Sequence, residues 1–220
     1  GRRFAATHAE CVFLNGQAEA GVRLIVDDIR GQAQAKGRSP DDIRIFLGAT
    51  IITGASDAEA QEKFQDYRQY VSSEAALVHA AASLGVDLAR FDLDEPVDAS
   101  ASQAITSNVE ALTRSQGPGW TKRKLLQQMV LGSRQAPMVG SGAQIADALI
   151  RWTEVAGVDG FNLSRTVAPE CWSDVSRFVV PELQARGAFK TRYRQGSLRE
   201  KLFGQARLPA SHPAMRAGEA

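Results

Sequence analysis

The sequence predicts an α/β fold built on a parallel sheet, and three observations carry that expectation. Apolar stretches with the character of buried strands occur at 11–14, 43–53 and 158–163, amphipathic helical stretches alternate with them, and glycines or capping residues stand at the joints. Alternation of this kind produces right-handed βαβ units. With 220 residues, 44% of them apolar, the chain has material for a sizeable core.

At the start, Phe4, Ala5, His8 and Ala9 share one helical side and lead into the run Cys11, Val12, Phe13, Leu14, a helix feeding a short strand. Between 18 and 36, Val22, Ile25, Val26, Ile29 and Ala33 recur at helical spacing, and Gly37 supplies a stop. Ser39, Pro40, Asp41 and Asp42 have the composition of a single capped turn. The run 43–53 is almost continuously apolar and β-branched, as a parallel strand buried on both faces requires, and Gly54 ends it. Ser56 and Glu59 have capping-box spacing, which starts a helix expected to reach Val71.

From Ser72 to Arg134 helical stretches at 74–84 and 122–132 are separated by turn-rich text without a convincing strand, and 92–102 reads as a surface loop. Pro137 to Gly140 is a short extended piece. Ser141 and Gln144 then form another capping-box pair ahead of the helical face Ile145, Leu149, Ile150, Trp152 and Ala156, stopped by Gly157. A strand over 158–163 follows, then a helix over 172–186 that Pro181 must kink or divide. Beyond Leu202 the pattern fades into an expected tail. Three strands and an insertion cannot close a barrel, which takes about 250 residues. So small an open sheet would leave bare edges, so something is expected to pair with them.

The net charge of +1, with its basic residues scattered, points to no nucleic acid and no anionic membrane surface as partner. Cys11 and Cys171 are far apart and lack metal-ligand spacing, which fits a reduced, cytoplasmic setting. No apolar run approaches the roughly 20 residues that span a bilayer, and the first residues lack the layout of a signal peptide. Gly1 followed directly by a helical pattern reads as a chain entered in mid-domain.

Several segments carry a more specific resemblance. They are Gly1-Arg2-Arg3-Phe4-Ala5-Ala6 with His8-Ala9-Glu10 before Val12-Phe13, Gly37-Arg38-Ser39-Pro40 leading into 43–54, and Asp57-Ala58-Glu59-Ala60. Leu84 to Leu88, Val139-Gly140-Ser141, Asp159-Gly160-Phe161-Asn162-Leu163 and Val180-Pro181-Glu182-Leu183-Gln184 continue the series. In this order they resemble the carboxy-terminal half of bacterial luciferase-like flavin monooxygenases, in the group of nitrilotriacetate monooxygenase, pristinamycin synthase and dibenzothiophene-sulfone monooxygenase.

The resemblance implies a partial TIM (β/α)8 barrel that holds the last three strands and a helical insertion. It divides the chain into βα units of the barrel at 1–71, the insertion at 72–136, a last βα unit with closing helix at 137–203, and a flexible tail at 204–220. It further implies reduced FMN supplied by a separate flavin reductase, dioxygen and a small organic substrate as co-reactants, an amino-terminal half that completes the barrel, and homo-oligomers of the complete protein. The chain alone is expected to be inactive. Two other functions stay open: a flavin- or deazaflavin-dependent hydride transfer without oxygen insertion, and a non-catalytic scaffold or remnant subunit.

Site candidates follow the same resemblance. Gly1 corresponds to the last glycine of the family's FMN-phosphate turn, with Arg2 just inside the helix, where free amides and a guanidinium suit a phosphate. The alternative is that Arg2 and Arg3 solvate an exposed helix. Phe161 and Asn162 stand at the carboxy end of the last strand, where barrel active sites lie, as substrate-contact candidates, with Thr50 as a further rim position. Equally, Phe161 is core and Asn162 caps a turn. His8 reads as structural, His79 and His212 build no metal site, and Trp120, Trp152 and Trp172 read as packing residues. Gly140-Ser141-Gly142 lacks the lysine of a phosphate loop and reads as a helix cap.

Overall fold

The computed structural model describes residues 1–16, 18–97, 119–131 and 136–216. They form two compact units, Gly1–Gln61 with Pro137–Ala220, and Glu62–Ala136. In chain order the elements are α1 (Arg2–His8), β1 (Cys11–Leu14), α2 (Glu19–Gln34), β2 (Arg44–Gly54), α3 (Asp57–Arg68), α4 (Ser73–Leu84) and α5 (Lys122–Gln128). They continue with β3 (Met138–Ser141), α6 (Gly142–Ala156), β4 (Gly160–Ser164), α7 (Glu170–Asp174), α8 (Val180–Ala185), α9 (Leu198–Phe203) and α10 (Pro213–Arg216).

The first unit is organised by β2. Its first part pairs in parallel with β1, Cys11 opposite Arg44 through Leu14 opposite Leu47, and with β4, Phe46 opposite Gly160 through Thr50 opposite Ser164. Phe46 and Leu47 take partners from both strands, so β1 and β4 flank β2 on opposite edges. Where those ladders end, Ile51 to Gly54 pair with β3, also in parallel. The extended piece at 137–140 therefore belongs to a fourth strand beyond the three expected. Four residues without alternation were too short a signal to separate from a loop.

Alternation along the strands sorts their side chains. Ile43, Ile45 and Leu47 point into a cluster with Val22, Val26, Ile29 and Ala33 of α2 and Ala156 of α6, all at or below 1% exposure. Ile51 enters a second cluster with Ile145 and Leu149 of α6 and Val179. These two clusters form one helix-covered side. Burying each such aliphatic side chain contributes about 2 kcal/mol, which explains why the apolar residues of α2 and α6 keep to one face. α6 begins at a complete capping box, Ser141 and Gln144 each accepting from the other's backbone N–H, and ends at Gly157 in the left-handed region.

The helix expected over 172–186 is divided, as Pro181 demands. α7 passes into a five-residue π segment, Val175–Val179, and α8 restarts with the proline in its first turn. Proline has no N–H for the ladder, and its ring clashes with the carbonyl one turn back, so the chain widens there. The carbonyl of Phe178 lies so close to Gly142 that a Cβ at that glycine would stand 2.1 Å from it.

The stretch expected as a tail at 204–220 instead includes α10 and buries His212 to 6% exposure. Before it, α9 has its own capping box from Ser197 and Glu200. Arg44 donates to the Leu202 carbonyl and lies over the Phe203 ring, Arg199 pairs with Glu10, and the His212 Nε2 meets the His8 carbonyl at 3.1 Å. These contacts are polar or cation–π, so they leave no apolar period in the sequence.

In the second unit, Ala76, Ala80 and Leu84 of α4 pack with Val86, Leu88, Val97, Trp120, Leu125 and Met129. The Val97 N–H donates to the Trp120 carbonyl, and Arg123 holds Asp94 through two bonds of 2.6 and 2.8 Å. The helices read at 74–84 and 122–132 lie at Ser73–Leu84 and Lys122–Gln128, and the part of the 92–102 loop beyond 97 lies outside the described residues.

One carboxylate joins three elements of the first unit. Asp159 accepts from the Ile45 N–H at 2.8 Å, from Arg30 of α2 at 2.9 Å and from Arg44 at 3.2 Å, while its own N–H donates to the Ile45 carbonyl. Arg30 also donates to the Gly157 carbonyl that ends α6.

Two stability experiments follow. Gly142→Ala costs about 1–3 kcal/mol in urea unfolding, whereas Gly31→Ala in α2, where an added Cβ meets nothing within 4 Å, is neutral or stabilising; equal effects would show that the Phe178 approach is unimportant. Asp159→Ala costs about 3 kcal/mol by removing a half-buried acceptor from three donors. Asp27→Ala, which loses only an exposed pair with Arg23, stays within about 0.5 kcal/mol.

Candidate functional site

The side of the sheet away from the helices carries Cys11 and Phe13 of β1, Phe46, Gly48 and Thr50 of β2, and Gly160, Asn162 and Ser164 of β4. Phe13 and Phe46 stack at 5.7 Å, and Gly160 lies beneath the Phe46 ring, where a Cβ would stand 3.1 Å from it. Phe13 is nonetheless 66% exposed. A parallel sheet ordinarily has both faces covered, and at Phe13 this one does not. Toward the carboxy ends of the strands, Gly48 stands opposite Asn162 and Thr50 opposite Ser164.

The sequence candidates on β4 separate here. Phe161 points to the helix side, packed against both apolar clusters, and Asn162 points to the open side and is exposed. Thr50 shares the side of Phe46 and Gly48 but is buried at 4% exposure, and Ile52 beyond it is buried at 3%, so that side of β2 is covered toward its carboxy end. Ser164, which no sequence signal singled out, joins it through the register. Only the pairing of β4 with β2 brings the two hydroxyls side by side.

The other candidates lie on α1. Gly1 is exposed, no side chain caps the helix start, and an added Cβ at Gly1 would meet nothing within 4 Å. Arg2 donates to Asp28 of α2 at 2.9 Å. A bond from Gln32 and then that from Arg2 hold the Asp28 carboxyl below its ordinary range. The opposite end of α1 is capped from a distance. Arg38, 3% exposed, donates to the carbonyls of Ala6 at 3.0 Å and Ala9 at 2.7 Å, and burial lowers its guanidinium from its ordinary value. Arg38 and Asp159 both escaped the sequence reading, because a side chain that serves remote backbone groups has no local pattern.

The His8 ring lies tilted against that of Phe4 at 4.8 Å, and the His8 carbonyl meets His212 Nε2. Trp120 is buried in the second unit, Trp152 packs against the α2 cluster, and Trp172 is 41% exposed. Among the described residues, no group of three or more His, Cys, Asp or Glu is placed to hold a metal ion, and no helix is long and apolar enough to cross a membrane.

Against known proteins, the model of the luciferase-like monooxygenase family matches residues 1–160. The chain belongs to that family. It is 39% identical to the dimethyl-sulfide monooxygenase of Hyphomicrobium sulfonivorans over 97% of its own length and 45% of the relative's. To the long-chain alkane monooxygenase of Geobacillus thermodenitrificans strain NG80-2 it is 38% identical, over 98% and 46%. Among solved structures, a riboflavin lyase with modified FMN and riboflavin superposes with a TM-score of 0.83 at 29% identity, covering 98% of this chain and 48% of that one. The chain thus spans about half the length of the family members it matches.

The tether between α1 and α2 has a defined acid response. Because the folded Asp28 carboxyl titrates below its ordinary value, its stabilising share is complete above the unfolded value and is lost as pH falls through the folded one. An NMR titration should place Asp28 below an exposed aspartate, and Arg2→Gln should move it upward; an unmoved midpoint would show that Arg2 contributes nothing there.

Proposed function

We propose that this chain is the carboxy-terminal half of a two-component, FMN-dependent monooxygenase, and that its sheet is the closing part of a (β/α)8 barrel with a helical insertion. The observation that carries the reading is the parallel sheet whose outer strands leave Phe13 and Asn162 exposed on the side away from α2 and α6. Strands from an amino-terminal half would cover that face and pair with the free edges of β1 and β4. The half-length matches to family members agree with this.

FMN, in this reading, arrives reduced from a separate flavin reductase and supplies the electrons with which dioxygen is activated toward a small organic substrate. Gly1 and Arg2 hold its phosphate: the uncapped amides of α1 are free donors, Gly1 leaves room, and the partly exposed Arg2 adds a positive charge. Asn162 contacts the bound molecules from the open face, and Phe161 supports it from behind. The complete protein assembles as a homo-oligomer, and the chain alone is inactive.

The test is reconstitution with the amino-terminal half. Reduced FMN and oxygen should then give oxygenated product from a thioether or alkane, and the chain alone should give none. FMN should bind more tightly than riboflavin, which lacks the phosphate, and Arg2→Gln should reduce that preference about tenfold. Substrate turnover without incorporation of labelled oxygen would favour hydride transfer instead, and product from the chain alone would sink the half-barrel reading.

A further inference from the structure

We propose that the exposed stretch between α8 and α9 is a docking surface for an acidic protein segment, whose carboxylates meet Lys190, Arg192 and Arg194 beside the rings of Phe189 and Tyr193. The proposal is independent of the barrel reading above, since every residue it uses lies on this one stretch of the first unit.

The charge here is local and uncompensated. The whole chain carries a net charge of only +1, yet no acidic residue occurs from Gly187 to Arg199. Among the described residues eight arginines form an ion pair within the protein, Arg186 and Arg199 on either side of the stretch among them. Lys190, Arg192 and Arg194 form none with a described residue. Like charges so close in the chain repel one another, and the repulsion is relieved by counter-ions or by a partner of opposite sign.

The stretch is exposed and nevertheless held. From Arg186 to Leu198 every residue but none of the anchoring carbonyls is free to move away: the Gln184 carboxamide of α8 donates to the Lys190 carbonyl at 2.8 Å, and Arg194 donates to the Lys201 carbonyl of α9 at 3.0 Å. Between these anchors the Lys190 ammonium lies over the Phe189 ring at 4.6 Å and the Tyr193 ring at 5.1 Å. It orients two rings that no core holds, Tyr193 being 82% exposed. Such ordering in advance lowers the entropy lost when a partner lands. Aromatic and arginine side chains with an exposed apolar neighbour, here Leu198, are the composition that binding surfaces favour.

The kind of partner follows from the same geometry. From Arg186 to Leu198 all residues are exposed, so nothing encloses a small anion, and a partner must bring a surface of its own. Guanidinium groups take carboxylates and phosphates alike, and the rings decide between them. Each ring has one face turned to Lys190, whereas a nucleic acid would use open aromatic faces for base stacking. Three free cations also neutralise few phosphates. Carboxylates need no stacking, and the Tyr193 hydroxyl can donate to one.

Fluorescence anisotropy of the chain with labelled poly-L-glutamate and with oligouridylate, each about 20 units long and in about 50 mM salt, tests this. Polyglutamate should bind more tightly than oligouridylate. The Lys190→Gln, Arg192→Gln, Arg194→Gln triple variant should lose about tenfold in affinity for polyglutamate. Lys36→Gln, Arg90→Gln, Lys124→Gln, which removes three exposed cations elsewhere, should change it less than about twofold. Phe189→Leu, Tyr193→Leu keeps the charge and apolar bulk but removes the rings beneath Lys190, and should cost about threefold. All these positions are exposed, and unchanged melting temperatures show that the variants keep the fold. Tighter oligouridylate binding, no polyglutamate binding, an equal loss in the control variant, or unchanged affinity in either loop variant would overturn the inference.

Discussion

The carboxylate of Asp159 sets the relation between β2 and β4 before their ladder begins. By accepting from the Ile45 N–H while its own N–H donates to the Ile45 carbonyl, it fixes Gly160 opposite Phe46. The side-chain period of a strand is two, so a slip of one residue would exchange Phe161 and Asn162 between the core and the open face. The same carboxylate takes Arg30 from α2 and Arg44 from β2, so strand register and helix position are settled by one group. Its two cations and the backbone donor offset the cost of withdrawing it from water.

That register gives the sheet its two unlike faces. The helix side follows ordinary packing, with α2 and α6 matched to Ile45, Leu47 and Ile51. The other side carries Phe13 and Phe46 near the amino ends and is covered over Thr50 and Ile52 toward the carboxy end of β2. Selection for a stable isolated unit would favour polar residues at Phe13. Selection for a neatly filled core would favour apolar ones at Asn162.

Much of the architecture was legible because it arises from local rules. Capping at Ser141 and Gln144, the stop at Gly157, the periodic face of α2 and the continuous apolar run of β2 each declare themselves within a few residues. What escaped was non-local. Met138 to Ser141 becomes a strand by pairing with Ile51 to Gly54, and nothing in the sequence around Arg38 declares that it ends a helix some 30 positions away. At the candidate site, Asn162 and Thr50 could be named from their places near strand ends. The orientation of Phe161 and the partnership of Ser164 with Thr50 required the register, which no single strand specifies.

The contact of His212 with the His8 carbonyl has a meaning for the order in which this unit is assembled. It joins positions 204 residues apart, and the pairing of Arg199 with Glu10 spans 189. Contacts of such separation are entropically expensive to close early and form only after the intervening chain has condensed. As the chain is synthesised, α1 emerges long before either partner exists, so the His8 carbonyl waits for the segment that carries His212. Although it precedes every other element of its unit, α1 is thereby among the last of them to be secured.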